Sequence, residues 1–394
     1  MTTGTDHATA PATPSLFDAP AAPTSIFAVM SRLAHEHDAV NLGQGFPDFA
    51  PDAALTDRLA YHARHSSNQY APLPGVPRLL RAIADKIERC HGVRVDQARE
   101  LTVTSGATQG IWTAVQALVC PGDEAIVFEP AYDSYVPAVE SVGGVAVPLP
   151  LKPEHGFRPD WAGFAARLNA RTRLVILNNP HNPTGTCWRD EDMRELEHLL
   201  RGREVAVLSD EVYEHLVYDG REHLSALRYP GLRERAVVTC SFGKTFHVTG
   251  WKVGYAVAPP ALTARLRSVH QYTVFTVSTP AQHALADHLG EPAHYESLPG
   301  FFAAKRDRLA GGLAGSRLRL LPSEGSYFAL ADYGEVSDEP DTRFAERLVR
   351  ECGVAVIPIS PFYTEAPAGQ TLVRLCFAKR VETLDAAAVR LREL

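Results

Sequence analysis

Short apolar runs alternate with longer amphipathic stretches from about residue 100 to about residue 290. The runs are "ELTVTSG", "EAIVFEP", "VAVPLP", "RLVILNNP", "EVAVLSDE", "AVVTCSFG" and "WKVGYAVAP". They are nearly continuous in Val, Ile and Leu, which is typical of strands that are buried on both faces of a parallel sheet. Segments between them, such as "TQGIWTAVQALVC" and "RDEDMRELEHLLRG", have apolar residues at helical spacing. The pattern predicts an α/β fold in which helices cover both sides of a mostly parallel sheet, an αβα sandwich.

The pattern changes after about residue 290. A long helical stretch precedes the strand-like runs "RLRLLP", "SYFALAD" and "TLVRLCF" and a closing helix in "ETLDAAAVRLREL", which indicates a second, smaller α/β domain. The first twenty residues are rich in Ala, Thr and Pro and predict a mobile tail. We therefore expect a tail over 1–24, a segment joining the small domain over 25–50, a large domain over 51–290 and the small domain over 291–394.

Composition and charge narrow the possible functions. The 394 residues are 45% hydrophobic, and 39 Lys and Arg against 46 Asp and Glu give a net charge of −7, which argues against a nucleic-acid partner. Six scattered cysteines have no metal-ligand spacing, so neither a disulfide framework nor a metal site is predicted. No apolar run approaches the roughly 18 residues of a membrane span, and no targeting segment is evident. We expect a cytoplasmic protein with no membrane partner.

Polar side chains follow several of the predicted strands. Ligands of open α/β sheets bind at the carboxyl ends of the strands, so these residues are the first candidates for a site. Ser105, Gly106, Ala107 and Thr108 open a helix after one strand, where free backbone N–H groups and the helix dipole favour a phosphate. The neighbouring strand ends carry Asn182, Asp210 with Tyr213, Ser241 with Lys244, and Lys252.

Each of these features alone has an ordinary structural explanation. Asn-Pro-Thr-Gly is a common turn, Asp210 resembles a helix N-cap, and a lysine at a sheet edge is usually solvated. Arg374 in "TLVRLCF" fits the outward position of an alternating strand equally well. These structural roles do not explain the combination, because a phosphate site, a carboxylate, a phenol, an amide and two lysines are all predicted at one sheet edge. The combination therefore favours a functional site.

Several competing motifs fail on inspection. "FGKT" ends like a phosphate-binding P-loop, but Val238 stands where its first glycine is required. "GQGFPD" begins like a dinucleotide fingerprint, yet Asp48 replaces the third glycine. "HEH" at 35–37 lacks the spacing of zinc proteases, and no G-x-S-x-G motif is present. Nucleotide hydrolysis, dehydrogenation and esterase chemistry are therefore disfavoured.

The set of strand-end residues fits the cofactor pyridoxal 5'-phosphate (PLP). This cofactor needs an amine to form an imine, a carboxylate at its pyridine nitrogen, donors to its phenolate oxygen and a phosphate site. Lys244 is the expected imine lysine, and a dry pocket close to a second cation would lower the pKa of its amine toward neutrality. Lys252 is the second cation and is expected to hold the phosphate.

The longer motifs resemble those of fold-type I, class I/II aminotransferases from about residue 25 to the end of the chain. The matching stretches are "NQYAPLPG", "EPAYDSY", "NNPHNPTG", "SDEVYEHLVYDG", "SFGKTFHVTGWKVGY" and "VRLCF". "VNLGQGFPDF", "VHQYTVFTVSTPAQ" and "VAVIPISPFY" resemble the branch that contains methionine and kynurenine–oxoglutarate aminotransferases. The resemblance implies transfer of an amino group from an amino acid to a 2-oxo acid in a ping-pong cycle, with Lys244 as the general base.

The resemblance also implies roles for individual residues. It places Asp210 at the pyridine nitrogen, Asn182 and Tyr213 at the phenolate oxygen, and Tyr132 on the cofactor ring. The phosphate would be held by Ala107, Thr108, Ser241 and Lys252, joined by Tyr70 of the partner subunit. Arg374 would bind the substrate α-carboxylate, helped by the Gly45 backbone and the Asn182 amide. Phe27, with Phe275 and Tyr272 of the partner subunit, would shape an apolar side-chain pocket in a homodimer with shared sites.

The sequence predicts one type of reaction but leaves several amino acids as candidate substrates. No second arginine marks a dicarboxylate pocket, and the aromatic residues favour methionine, with Phe, Tyr, Trp and kynurenine as further candidates. Two positions differ from the kynurenine aminotransferases: Tyr132 stands where a phenylalanine is common, and Thr276 follows Phe275 where a histidine can occur. These differences argue against kynurenine as the preferred substrate. Two alternatives stay open: a cysteine-S-conjugate β-lyase on the same fold, and a non-catalytic aminotransferase-like regulatory module.

Overall fold

The computed structural model describes residues 25–65 and 68–394, so the predicted tail over 1–24 lies outside the described residues. The strands in chain order are β1 (Val40–Asn41), β2 (Leu101–Thr104), β3 (Glu124–Glu129), β4 (Val145–Pro150), β5 (Thr172–Asn178), β6 (Ala206–Asp210), β7 (Ala236–Ser241), β8 (Gly254–Val257), β9 (Arg319–Leu320), β10 (Phe328–Asp332), β11 (Val354–Ala355), β12 (Ile357–Pro358) and β13 (Leu372–Cys376).

Helices fill most of the connections between these strands. In chain order they are α1 (Ile26–Glu36), α2 (Ala53–His65), α3 (Pro77–His91), α4 (Gly106–Leu118), α5 (Tyr135–Ser141), α6 (Trp161–Arg167), α7 (Asp190–Leu200), α8 (Pro230–Arg233), α9 (Phe242–Thr245), α10 (Pro260–Thr273), α11 (Thr279–Leu289), α12 (Ala293–Glu296), α13 (Leu298–Leu313), α14 (Asp341–Arg347) and α15 (Val381–Leu391). Among the described residues, no helix is both long enough and apolar enough to cross a membrane.

Seven strands form the large sheet in the order β2-β8-β7-β6-β5-β3-β4. Strand β8 is antiparallel to both of its neighbours, and the other pairs are parallel. Since β8 reverses direction between β2 and β7, these two strands end at the same edge as β6, β5 and β3. The predicted α/β fold with a mostly parallel sheet is confirmed.

The continuous apolar runs are explained by the two layers of helices. In β5, Leu174 and Ile176 pack into one hydrophobic cluster together with Ile111 and Val115 of α4. The alternate residues Val175 and Leu177 belong to the cluster on the opposite face, which contains Leu79 and Ile83 of α3. A strand that buries both of its faces has no position for a polar alternate residue, so it reads as an unbroken apolar run.

The carboxyl-terminal part of the chain forms a separate four-stranded antiparallel sheet in the order β12-β13-β10-β9. The three predicted runs correspond to β9, β10 and β13, whereas the short strands β11 and β12 in "VAVIPISPFY" were not predicted. Strand β1 pairs in parallel with β11, which ties the amino-terminal segment to this part of the chain. The domain boundaries at residues 24, 50 and 290 stay predictions.

Candidate active site

A cavity of about 290 Å³ opens at the carboxyl edge of the large sheet, facing β10 and β13. Most of the sequence-predicted site residues line it: Phe27, Gly45, Gly106, Ala107, Thr108, Tyr132, Asn182, Asp210, Tyr213, Ser241, Lys244, Lys252 and Arg374. Tyr70, Tyr272 and Phe275 lie elsewhere on the surface, with exposed fractions of 83%, 87% and 41%. The resemblance assigned these three to the site of the other subunit, and that assignment stays a prediction.

One end of the cavity is built to hold an anion. Helix α4 begins at Gly106, which has a φ of 71°, and its first backbone N–H groups have no partner within the helix. Lys252 also adopts a left-handed conformation, and a Cβ added to Gly106 would lie 3.5 Å from its Nζ. An ammonium group beside the positive end of a helix is unfavourable unless an anion lies near both. The arrangement fits the phosphate of PLP.

Gly254 permits this close packing at the start of β8. A Cβ at this position would lie 2.4 Å from the backbone oxygen of Cys240 and 3.1 Å from the backbone nitrogen of Ala107. Such contacts are too short for any side chain, so a glycine is required where β8 passes beneath the start of α4.

Asp210 lies at the end of β6 and is 4% exposed. The Tyr135 hydroxyl donates a hydrogen bond of 2.6 Å to its Oδ2, and the Val212 backbone N–H lies 3.4 Å from its Oδ1. Burial raises the pKa of Asp210 to about 6, and the two donors and the Lys244 ammonium oppose this rise. A buried carboxylate with an incomplete set of partners fits a protonated pyridine nitrogen.

Lys244 follows β7 in the short helix α9. Its Nζ donates to the backbone oxygen of Gly45 over 3.1 Å. Burial lowers the pKa of Lys244 to about 8, and the cations Arg374 and Lys252 lower it further, against the opposing effects of Cys376 and Asp210. This is the direction expected from the sequence. An amine that is partly neutral near physiological pH can act as a nucleophile and as a general base.

The segment after β5 carries Asn182 into the cavity. The Asn182 backbone N–H donates to Asn178 Oδ1 at 2.6 Å, and Asn178 Nδ2 donates to the Asp210 backbone oxygen at 2.8 Å. Tyr213 is 3% exposed, and burial raises the pKa of its hydroxyl. The Tyr213 hydroxyl therefore stays protonated and remains a hydrogen-bond donor at neutral pH.

Arg374 is only 1% exposed, which excludes an outward position on β13. Its Nη1 donates to Asn182 Oδ1 at 2.8 Å and its Nη2 donates to the Gly43 backbone oxygen at 2.9 Å. Its Nε is buried and has no hydrogen-bond partner within residues 25–65 and 68–394. The guanidinium carbon lies 3.9 Å, 5.2 Å and 5.4 Å from the ring centroids of Phe328, Phe27 and Phe362. In the described part of the chain this buried cation has no carboxylate in ion-pair contact, and with a free donor it is suited to an anionic group of a ligand.

Sequence reasoning missed several residues of this site. Asn178 ends the apolar run "LVIL", and the strand-end argument could have found it. Tyr135 lies three residues after Tyr132 in the quoted motif "EPAYDSY", but nothing local indicates which tyrosine reaches Asp210. Phe328 comes from β10, and its position depends on how the two sheets are placed.

Comparison with known proteins agrees with this geometry. The profile of the family "Aminotransferase class I and II" matches residues 37–391. The methionine aminotransferase of Escherichia coli is 53% identical, over 94% of this chain and 96% of the relative. A probable N-succinyldiaminopimelate aminotransferase of Mycobacterium tuberculosis is 40% identical, over 94% of this chain and 96% of the relative. Human kynurenine–oxoglutarate transaminase 3 is 36% identical, over 92% of this chain and 87% of the relative.

A solved structure is similar over nearly the whole chain. The crystal structure of YbdL from Escherichia coli, for which a methionine aminotransferase function was identified, has a TM-score of 0.94 and 51% identity, and covers 98% of this chain and 100% of its own. The relatives are enzymes, and the cavity retains Lys244, Asp210 and Arg374, so the non-catalytic alternative is set aside. The chain belongs to the class I and II aminotransferases, and like them it depends on pyridoxal 5'-phosphate.

Proposed function

We propose that this aminotransferase moves the amino group of an apolar or aromatic L-amino acid, methionine first, to a 2-oxo acid in a ping-pong cycle. The apolar substrate class is supported by the aromatic side chains that surround Arg374. This arginine would bind the α-carboxylate, and it is packed among the rings of Phe27, Phe328 and Phe362. Among the described residues that line the cavity, Arg374 is the one arginine, so no second guanidinium is offered to a side-chain carboxylate.

Residues of the chain divide the work of the reaction between them. When bound, PLP supplies an aldehyde for the amino group and a protonated ring that accepts the electron pair from the substrate Cα. Asp210 would keep that ring protonated, and Lys252 with the amino end of α4 would hold the phosphate. Asn182 and Tyr213 would donate to the phenolate oxygen.

Lys244 would perform the proton transfers. It would hold the cofactor covalently at rest, and the substrate amine would displace it. The freed amine, whose pKa is lowered to about 8, can remove the proton from Cα and return a proton to the cofactor carbon. Arg374 would fix the α-carboxylate by charge-assisted hydrogen bonds and so orient the Cα–H bond toward Lys244.

The proposed assembly is a homodimer in which each subunit completes the site of the other. Tyr70, Tyr272 and Phe275 are large aromatic side chains that are exposed on the chain, and the Tyr70 and Phe275 rings pack edge to face at 5.4 Å. Exposed aromatic groups that contact one another are typical of an interaction surface. The cytoplasmic location expected from the sequence also remains a prediction.

The test is a half-reaction with purified holoenzyme in the absence of an acceptor. L-Methionine, L-phenylalanine, L-kynurenine and L-aspartate are added separately, and loss of the visible cofactor absorption is followed together with release of the 2-oxo acid. Methionine should react fastest, and parallel lines in double-reciprocal plots with an acceptor should show the ping-pong order. Lys244→Ala should abolish turnover, whereas Lys152→Ala, which removes an exposed lysine, should not.

Other outcomes lead to different functions. A faster reaction with aspartate would overturn the apolar substrate class. Release of pyruvate and ammonia from a cysteine S-conjugate without any acceptor, at a rate above that of methionine transamination, would favour the β-lyase alternative.

A further inference from the structure

A second cavity, of about 680 Å³, lies beside the segment that follows Lys244. Its wall includes Phe246 and His247 together with Asp52, His288 and His294, and the Phe246 ring packs edge to face on His288 with centroids 4.8 Å apart. Asp52 directly precedes α2, His288 lies in the last turn of α11, and His294 lies in α12. None of these last three residues has a part in the proposed reaction.

Asp52, His288 and His294 form a compact group of potential metal ligands. Their ligand atoms all lie within 4.8 Å of one another, and His294 Nδ1 is 3.4 Å from Asp52 Oδ2. The two imidazole rings are stacked, with centroids 3.7 Å apart and an interplanar angle of 20°. His288 is 2% exposed, and its buried Nδ1 has no hydrogen-bond partner among the residues that the structure describes.

An unpartnered buried ring nitrogen calls for an explanation, because a polar atom without a partner is costly in the interior. We propose that Asp52, His288 and His294 bind a divalent ion of the zinc class, with a water molecule from the cavity as a further ligand. Two imidazoles and a carboxylate are ligands that such ions accept, and a three-residue set leaves a position open to water.

The geometry allows the site to close on an ion. Tetrahedral bonds of about 2.0 to 2.2 Å place neighbouring ligand atoms roughly 3.4 Å apart. His294 Nδ1 and Asp52 Oδ2 already have this separation of 3.4 Å, whereas the stacked rings must tilt so that a nitrogen of each ring points at the ion. Asp52 and His294 have side-chain exposures of 44% and 20%, so these two can rotate while His288 stays fixed. The cavity supplies the entry path.

The charge around the group favours a cation. Glu291 Oε2 lies 3.3 Å from His294 Nε2, and Glu291 Oε1 is paired with Arg58 Nη2 at 2.5 Å. With both imidazoles counted as neutral, these nearest groups (Asp52 and Glu291 against Arg58) leave one net negative charge, whereas the rest of the cavity wall adds one net positive charge from Lys305, Arg380 and Glu382. The simplest competing explanation is an ion pair between His294 and Asp52 with a neutral His288 stacked on it, and this explanation predicts no metal binding.

A bound ion would join the start of α2, the end of α11 and α12, which leads into the long helix α13. These elements meet where the chain passes from the large sheet to the carboxyl-terminal part. The ion would therefore stabilise this junction without touching the catalytic cavity.

The test is calorimetric titration of zinc chloride into holoenzyme in a buffer that does not bind zinc. Wild type should bind one ion per chain, and Asp52→Asn and His294→Asn should each weaken binding by at least about ten-fold. His35→Asn, which alters an exposed histidine, is the matched control and should bind like wild type. Zinc should also raise the unfolding temperature of wild type and of the control, but not of the two ligand variants.

Asp52→Asn keeps the test usable if His294→Asn folds poorly. Asp52 Oδ1 accepts a hydrogen bond from the Ala54 backbone N–H at 2.8 Å, and an asparagine retains this cap. Absence of binding to wild type would overturn the proposal, and so would undiminished zinc affinity in a well-folded Asp52→Asn variant.

Discussion

Arg374 Nη1 donates to Asn182 Oδ1 over 2.8 Å, and this bond joins β13 of the carboxyl-terminal sheet to the segment after β5 of the large sheet. The same guanidinium donates through Nη2 to Gly43, which belongs to the amino-terminal segment. Three separate parts of the chain thus converge on one cation. A site of this kind, which would bind a carboxylate, forms only when those three parts are packed together.

Arg374→Lys should raise KM for methionine and for the 2-oxo acid, because both carry the carboxylate that Arg374 is proposed to bind. Lysine keeps the charge but cannot bond Asn182, Gly43 and a ligand in one plane. Loss of one charge-assisted hydrogen bond costs about 1.5 to 3 kcal/mol, so kcat/KM should fall by roughly 10- to 100-fold. Steady-state kinetics with both substrates check this, with the exposed Arg343→Lys as control. Unchanged KM values would remove Arg374 from carboxylate recognition.

The Tyr135 hydroxyl supports the ionised form of Asp210 through a bond of 2.6 Å. The pKa of Asp210 is already raised to about 6 by burial, and Tyr135→Phe should raise it by about one further unit because a donor to the carboxylate is lost. The cofactor-free protein is expected to bind PLP through the ionised form of Asp210, so PLP affinity should fall as the pH is lowered. In Tyr135→Phe this fall should begin at a higher pH than in wild type. Titration of PLP at several pH values measures this shift. Tyr229→Phe, which breaks a Tyr–Asp bond of 2.9 Å outside the cavity, should leave the profile unchanged.

Lys244 should destabilise the cofactor-free protein. Its ordinary pKa of 10.5 falls to about 8 on folding, so below pH 8 the folded chain must keep a proton that it binds weakly. Between about pH 8 and 10.5 the unfolded chain binds more protons, and stability from this group rises with pH. Lys244→Met should therefore increase the free energy of unfolding near neutral pH by up to about 3 kcal/mol, and the gain should shrink toward pH 10.5.

Unfolding of cofactor-free wild type and Lys244→Met at neutral and alkaline pH provides the measurement. Lys152→Met removes an exposed lysine and should change neither midpoint. A Lys244→Met protein that is no more stable than wild type at neutral pH would show that the buried amine carries no penalty.

The strand-end argument located most of the cavity because sheet direction alone brings those residues to one edge. Asp210 is the last residue of β6 and Lys244 lies shortly after the end of β7, and the parallel pairing of these two strands places both residues at one edge. Residues whose positions depend on the packing of distant elements could not be predicted in this way. Arg374 occupies a strand with both faces covered, so alternation could not tell inward from outward. The hydrogen bond from Tyr135 to Asp210 joins residues 75 positions apart in the sequence, and no local pattern predicts it.

A buried ionic network is a further example of contacts between distant residues that no local sequence pattern predicts. Lys86 Nζ lies 2.6 Å from Glu214 Oε2, and the Tyr255 hydroxyl donates to Glu214 Oε1 at 2.9 Å. Burial alone would raise the pKa of Glu214, but Lys86, His215 and His91 hold it well below its ordinary value. Glu214 directly follows Tyr213, so this network lies next to the cavity residue in the chain.

Lys86→Met should destabilise the protein by about 3 to 5 kcal/mol, because it leaves the Glu214 charge buried without its ammonium partner. Adding Glu214→Gln removes that charge, so the double variant should be less destabilised than the sum of the two single variants. Denaturant midpoints at fixed protein concentration measure this coupling. The exposed pair Arg94–Glu88 is the control, and Arg94→Met should leave the denaturant midpoint nearly unchanged because solvent screens this pair. Additive effects at Lys86 and Glu214 would mean that the two charges do not stabilise each other, and the prediction would be wrong.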